Sequence, residues 1–181
     1  MSKIDIENNY FTKYISKEEI EKRISLLSNE IDVFFSDESK DNIIISILNG
    51  SFIFTADIVR QLSSKCKILF IKLKSYSGTE STGIVKTIIG LDEEIKGKNI
   101  LVVEDIIDSG KTIKKIYEDL QSLQPASIKI ATLLLKPNKY KENIPIDIVG
   151  FKIEDDFVIG YGLDINGYGR NLKDIFKKTL I

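Results

Sequence analysis

The fold is decided by residues 99–112, which have the sequence NILVVEDIIDSGKT. Residues 99–103 are mostly aliphatic and predict a buried strand, and two carboxylates, Glu104 and Asp105, follow it at once. The small residues of segment 108–112 then lead into a stretch with helical spacing. Strand, small-residue loop and helix together indicate an α/β unit, which binds ligands at the carboxyl end of its strand.

The rest of the chain repeats this alternation of strand and helix. Apolar residues recur at helical spacing after Ser16, a predicted N-cap that is followed by acidic residues. We therefore expect one α/β domain over residues 1–181, with a central, mainly parallel sheet flanked by helices. The other predicted strands are residues 43–48, 68–73, 84–89, 128–135, 148–151 and 157–161, and the other predicted helices are residues 52–62 and 113–123.

Composition limits the classes of function. The chain has 26 basic and 27 acidic residues, so its net charge of -1 gives no reason to expect a nucleic-acid or membrane surface. It contains no histidine, so proton transfer must use a carboxylate, lysine or tyrosine. The single Cys66 precedes an apolar run and is interpreted as a buried hydrophobe in a reducing compartment. We expect a cytoplasmic protein with no nucleic-acid or membrane partner.

The loop at 108–112 suits a phosphate, because a small-residue loop that opens a helix offers free N–H groups and the positive helix end. Glu104 and Asp105 would repel phosphate, but they can accept hydrogen bonds from ribose hydroxyls or from water around Mg²⁺. The ending SGKT gives only weak support for a P-loop, because Asp105 stands where that motif needs glycine, five positions before Gly110. The alternative, that these acids are solvated loop residues, does not explain why they coincide with a helix start.

Residues 101–112, LVVEDIIDSGKT, resemble the phosphoribosyl pyrophosphate signature of the type I phosphoribosyltransferases. The resemblance implies that the acid pair holds the ribose hydroxyls and that the loop takes the 5-phosphate. It also places Asp108 near the base, where this residue is the implied catalytic acceptor of the purine proton. The phosphoribosyl pyrophosphate-binding residues implied are Glu104, Asp105, Asp108, Ser109, Gly110, Lys111 and Thr112.

Two further loops match the same family. Leu48, Asn49 and Gly50 follow the first predicted strand of the sheet and resemble the pyrophosphate loop, whose backbone amides meet an anion. The hypoxanthine-guanine members often carry lysine or arginine where this chain has Asn49. Without the resemblance, an ordinary strand-to-helix turn would explain the segment equally well. Ser75 and Tyr76, in segment 74–83, resemble the start of the mobile loop that closes over substrates, and on their own they indicate a flexible hairpin.

The resemblance assigns the purine site to residues nearer the C-terminus. Lys136 follows the predicted strand 128–135, and if the strands are parallel its ammonium lies at the same sheet edge as Glu104. In the family, a lysine at this position binds O6 of the base, Phe157 would stack on the ring, and Val158 would contact its edge. Taken singly, the lysine would be interpreted as a solvated charge and the phenylalanine as a core residue.

The glycine-rich stretch GYGLDINGYGR supplies the last matches. Asp164 matches the acid that helps hold Mg²⁺, and Arg170 matches the residue that faces pyrophosphate. Taken singly, they would be a turn acid and a surface charge. The implied metal ligands are Glu104, Asp105 and Asp164. The resemblance covers residues 43–172 and leaves the N-terminal helix outside.

The sequence thus predicts a magnesium-dependent purine salvage enzyme. It would transfer the phosphoribosyl group of phosphoribosyl pyrophosphate to hypoxanthine or guanine, with xanthine as a further candidate, giving IMP or GMP and pyrophosphate. The resemblance also implies the type I fold with a small hood made by the terminal segments, and a homodimer or homotetramer.

Two other classes stay open on sequence grounds. One is a regulator that keeps the fold and binds RNA or a protein, for which RNA binding that weakens steeply with salt would be the sign. The other is a receiver-like signalling domain, which a small phosphodonor would phosphorylate. Receiver acids normally lie at separate strand ends, whereas Glu104, Asp105 and Asp108 all follow one strand.

Overall fold

The structure is a computed structural model that describes residues 3–74, 86–89 and 94–179. Within these ranges the chain forms two sheets and three helices. The helices are α1 (Lys17–Phe34), α2 (Phe52–Val59) and α3 (Lys111–Ser122). The strands are β1 (Lys3–Ile6), β2 (Asn9–Ile15), β3 (Asn42–Leu48), β4 (Lys67–Lys74), β5 (Lys86–Ile89), β6 (Asn99–Ile107), β7 (Ser127–Leu135), β8 (Ile148–Lys152), β9 (Val158–Ile159) and β10 (Ile175–Lys178).

The larger sheet has the strand order β5-β4-β3-β6-β7-β8 among the described residues. Strands β4, β3, β6, β7 and β8 are parallel, and β5 pairs antiparallel with β4 at the edge. Apolar side chains of β3 and β6 are buried on both faces, since α1 and α2 cover one face and α3 covers the other. The predicted α/β class with a mainly parallel sheet is confirmed.

The sheet opens between its two central strands. From β3 the chain passes to β4 on one side and later to β6 on the other, so the strand order reverses at this point. Pairing of β3 with β6 ends at Ser46 and Val103, whereas pairing of β6 with β7 continues to Ile107 and Leu135. The resulting crevice lies at the carboxyl ends of the strands, where open α/β sheets bind their ligands.

Several predicted boundaries are wrong. Strand β6 runs to Ile107, so Glu104 and Asp105 lie within it, because β7 continues to supply hydrogen bonds beyond residue 103. Helix α2 ends at Val59 instead of residue 62. Strand β4 is not wholly buried, since Ile68 and Phe70 are exposed.

Three smaller expectations also need correction or fall outside the described residues. Cys66 is only half-buried, and burial raises the pKa of its thiol. Phe157 precedes the short strand β9 and does not belong to it. Lys74 closes β4, while Ser75 and Tyr76 of the predicted mobile loop lie outside the described residues.

Both ends of the chain build the second sheet, which has the order β1-β2-β10-β9 and is antiparallel. Its small core contains Phe11, Ile159 and Phe176. Asp174 ties it to the main domain by accepting the backbone N–H of Lys17 at 2.8 Å. The hood implied by the resemblance is therefore present. No helix within the described ranges has the length and apolarity needed to cross a membrane.

Candidate active site

The floor of the crevice is formed by the loop after β3, at Leu48, Asn49 and Gly50, with a cis peptide bond between Leu48 and Asn49. A Cβ atom at Gly50 would overlap the carboxylate of Asp105, and one at Gly162 would overlap the Gly50 carbonyl oxygen. The loop is therefore clamped between β6 and the segment that follows β9. Only a residue without a side chain permits either approach.

A buried hydroxyl cluster holds this loop in place. Ser46 Oγ lies 2.7 Å from Ser51 Oγ and 2.8 Å from Thr55 Oγ1, and Ser51 also donates to the carbonyl of Ile47 at 2.6 Å. The three hydroxyls link β3 to the first turn of α2. Sequence reasoning missed these residues, although a serine inside the run IIISIL was an available signal.

The loop after β6 is the predicted 5-phosphate loop. Gly110 has a φ of 86°, and α3 begins there without a side-chain cap, so the N–H groups of its first turn stay available to a ligand. The loop encloses a cavity of about 250 Å³. Its lining residues are Glu104, Ile106, Ile107, Asp108, Ser109, Gly110, Lys111, Thr112 and Ile113.

Tyr140 covers this loop and was not identified from the sequence. A Cβ atom at Gly110 would overlap the Tyr140 ring, whose hydroxyl donates to the carbonyl of Ile144 at 2.5 Å. Lys114 of α3 pairs with Glu142 at 2.9 Å. The segment after β7 therefore packs against the phosphate loop and fixes the position of its glycine.

Glu104 is the buried member of the acid pair that it forms with Asp105. Glu104 is only 8% exposed, and its burial together with the charge of Asp105 raises the pKa of Glu104 well above its usual value. Asp105 Oδ1 accepts the N–H of Ile106 at 2.9 Å. Hydroxyl donors or a cation placed here would favour the charged form of Glu104.

Asp108 and Lys136 lie together at the edge of the crevice. Lys136 is 6% exposed, and its Nζ lies 3.5 Å from Asp108 Oδ2. The other oxygen, Asp108 Oδ1, is buried and has no hydrogen-bond partner within the described residues. The expectation of parallel strands is confirmed, and the interpretation of Lys136 as a solvated charge is wrong because the residue is buried. A second ammonium, that of Lys139, lies 3.7 Å from Asp108 Oδ2 and was missed.

Arg170 and Asp164 form an ion pair of 2.6 Å. Arg170 also donates to the Gly162 carbonyl at 2.7 Å, and Asp164 Oδ2 accepts the N–H of Gly167 at 2.7 Å. Since Gly162 packs on Gly50, the arginine stabilises the segment that holds the predicted pyrophosphate loop. The guanidinium thus neutralises Asp164 in this structure.

Comparison with known proteins matches residues 14–166 to the phosphoribosyl transferase domain. The chain belongs to this family. It is 41% identical over 168 residues to the hypoxanthine phosphoribosyltransferase of Escherichia coli (strain K12), covering 92% of this chain and 94% of that one. It is 37% identical to the hypoxanthine-guanine phosphoribosyltransferase of Aquifex aeolicus over 163 residues, 90% of this chain and 91% of that one. The crystal structure of a hypoxanthine-guanine phosphoribosyltransferase from Bacillus anthracis superposes with a TM-score of 0.85 at 38% identity, covering 93% and 98% of the two chains.

Membership of the phosphoribosyltransferase family confirms the resemblance and excludes the receiver-like class. The match begins at residue 14, so the N-terminal helix α1 lies inside it, contrary to expectation. Phe157 is 47% exposed and lies 6.4 Å from Phe11 between ring centroids, so its ring is not buried as a core residue. Val158, in contrast, is buried.

The described residues contain no group of three or more acidic, histidine or cysteine side chains arranged to hold a metal. Glu104, Asp105 and Asp164 therefore do not form a metal cage by themselves. Magnesium commonly takes one or two protein carboxylates and completes its shell with water and substrate phosphates. The carboxylates of this crevice fit that donor set.

Proposed function

We propose that this phosphoribosyltransferase transfers the phosphoribosyl group of phosphoribosyl pyrophosphate to hypoxanthine, and to guanine as a second base. The observation that carries the proposal is the pairing of a buried ammonium, Lys136, with Oδ2 of Asp108, a carboxylate whose other oxygen has no hydrogen-bond partner among the described residues. A 6-oxopurine presents a carbonyl and a ring N–H, which match this donor and this acceptor. The names of the relatives from E. coli and A. aeolicus support the same substrates.

The proposal assigns each part of the sugar phosphate to a separate part of the crevice. The 5-phosphate binds the loop from Asp108 to Thr112 at the start of α3, and the ribose hydroxyls bind Glu104 and Asp105. Pyrophosphate binds the loop at Leu48, Asn49 and Gly50, together with Arg170. Magnesium, held by substrate oxygens with Glu104, Asp105 or Asp164, would neutralise the departing pyrophosphate.

In the reaction, the bond from C1 of the ribose to the pyrophosphate oxygen breaks, and a bond from C1 to a purine nitrogen forms. Positive charge develops on the ribose, and the neighbouring carboxylates stabilise it. The carboxylate of Asp108 accepts the purine proton, while Lys136 leaves Asp108 Oδ2 and donates to O6 of the base. Phe157 stacks on the ring, and the backbone of Val158 contacts its edge. Ser75 and Tyr76, as the family resemblance implies, close over the substrates.

The test is nucleotide formation by purified protein with phosphoribosyl pyrophosphate and each of hypoxanthine, guanine, xanthine and adenine, with and without Mg²⁺. We expect turnover on the 6-oxopurines only, and only with the metal. Asp108→Asn should lower kcat by at least about a hundredfold while phosphoribosyl pyrophosphate still binds. Asp119→Asn, an exposed acid of α3, is the matched control. Adenine preference, or full turnover by Asp108→Asn, would contradict the proposal.

Location and assembly are also proposed. The family resemblance favours a cytoplasmic enzyme that forms a dimer or tetramer. Sedimentation of the purified protein measures the assembly directly, and a monomer at micromolar concentration would contradict it.

A further inference from the structure

Two ammonium groups converge on a single oxygen of Asp108. Lys136 Nζ lies 3.5 Å and Lys139 Nζ 3.7 Å from Oδ2, whereas Oδ1 is buried without a partner. Both cationic contacts that the described residues make with this carboxylate fall on Oδ2, so the two lysines together restrict its rotation. The proposed function explains Lys136 but gives no role to Lys139.

Lys139 is itself held from two sides. Its backbone N–H donates to the carbonyl of Lys136 at 3.1 Å, which places it in the turn directly after β7. Its ammonium lies 3.2 Å from Asp155 Oδ1, and the hydrogen bond to Asp155 is the main cause that raises the pKa of Lys139. Asp155 stands two residues before Phe157, so Lys139 bridges the segment of the predicted base-stacking residue to Asp108.

We propose that Lys139 is a positioning residue for Asp108, an inference that rests on the proposed function. When the base binds, Lys136 turns to the purine carbonyl and Asp108 loses that contact. Lys139, anchored by Asp155, stays on Oδ2 and holds the carboxylate in the orientation in which it accepts the purine proton. Without Lys139, the carboxylate can rotate during the proton transfer, the step that needs its alignment.

This role differs from that of an ordinary surface ion pair. The side chains of Lys139 and Asp155 are 42% and 54% exposed, and exposed pairs add little to stability. Loss of Lys139 should therefore leave the melting temperature nearly unchanged and lower turnover instead. A small misplacement of a reacting group is enough to reduce the rate strongly.

The experiment compares kcat and KM of Lys139→Gln, Lys139→Arg and Asp155→Asn with the natural protein. We expect Lys139→Gln to lower kcat about tenfold, with KM for phosphoribosyl pyrophosphate unchanged within about twofold. Lys139→Arg should restore most of the rate, since the charge and reach are kept. Asp155→Asn should have a smaller effect, and adding it to Lys139→Gln should cause no further loss, because both act through one contact. Lys141→Gln, which removes an exposed lysine of the same segment, should behave like the natural protein.

Two results would overturn the inference. If Lys139→Gln keeps kcat within about twofold, or if its loss of rate follows a loss of melting temperature, Lys139 does not position Asp108. Asp108→Asn, measured alongside, separates the two proposals. If it loses turnover while Lys139→Gln does not, only the inference on Lys139 fails; if it keeps turnover, the proposed proton acceptor fails with it.

Discussion

The contact between Gly162 and Gly50 allows a direct test of whether the segment after β9 supports the predicted pyrophosphate loop. Gly162 has a φ of 101°, and a Cβ atom there would overlap the backbone carbonyl oxygen of Gly50. Gly162→Ala should therefore push the loop toward Asp105 or away from the crevice. We expect it to weaken binding of phosphoribosyl pyrophosphate and of pyrophosphate.

The expected loss of stability follows from two costs. A side chain at this φ costs about 1–3 kcal/mol, and overpacking against backbone costs a further amount of about 1–3 kcal/mol. The total of about 2–6 kcal/mol is a large part of the about 5–15 kcal/mol typical of folded domains. Urea unfolding at low temperature, where most of the variant should stay folded, measures this loss.

Gly160 provides the matched control. Its φ is 100°, and a Cβ atom there would overlap the carbonyl oxygen of Asp174 to the same extent. That contact lies beside β10 and does not involve the loop after β3. Gly160→Ala should lose a similar amount of stability. The folded fraction of Gly160→Ala should nevertheless bind phosphoribosyl pyrophosphate at least about tenfold more tightly than the folded fraction of Gly162→Ala.

Calorimetric titration of both variants, under conditions where circular dichroism shows them folded, decides the matter. Equal affinities would refute the reasoning, because both positions would then act only through global stability. Natural affinity in Gly162→Ala would refute it as well, since the loop would tolerate displacement.

Three further predictions concern single side chains. Burial raises the pKa of Glu104, so the stability it contributes is present below the pKa of an unfolded glutamate and is lost as pH rises through the folded value. Near neutral pH and without ligand, Glu104→Gln should therefore be more stable than the natural protein. Urea unfolding measures the difference in the free energy of unfolding between the two proteins, and a difference that stays constant across pH would contradict this. Phe157→Leu should raise KM for hypoxanthine up to about tenfold in steady-state assays. It should change the free energy of unfolding by less than about 1 kcal/mol, since the ring is half-exposed. A raised KM for phosphoribosyl pyrophosphate instead would argue against stacking on the base. Arg170→Gln should weaken product inhibition by pyrophosphate roughly tenfold; unchanged inhibition would show that Arg170 serves only Asp164 and Gly162.

Sequence reasoning succeeded where the signal was local. Helix α1 begins after Ser16, whose side chain and that of Glu19 form a reciprocal capping box. Gly110 opens α3, as the small-residue loop indicated. These features depend on residues three or four positions apart, so the sequence contains the whole interaction.

Predictions of strand boundaries and of side-chain burial were wrong where an adjacent strand or helix determines them. Glu104 is part of β6 because Thr132 of β7 pairs with it, and no pattern within residues 99–112 carries that information. Ile68 and Phe70 are apolar like the buried residues of β3, yet they are exposed because the helices pack mainly against other strands of the sheet. Hydrophobicity predicts a strand, but packing decides which faces of it are covered.

The amino-acid sequence by itself indicated the strands of the larger sheet, the three helices, the small-residue loop at 108–112 and the family, because each rests on a short contiguous pattern. It gave no indication of β1, β2 or β10 in the second sheet. Only the tertiary structure decided how the site is joined across the chain. It packs Gly162 on Gly50, covers Gly110 with Tyr140, and directs two lysines to one oxygen of Asp108. Such contacts join residues distant in sequence, and they arise when the sheet aligns the strand ends and the terminal segments close over them.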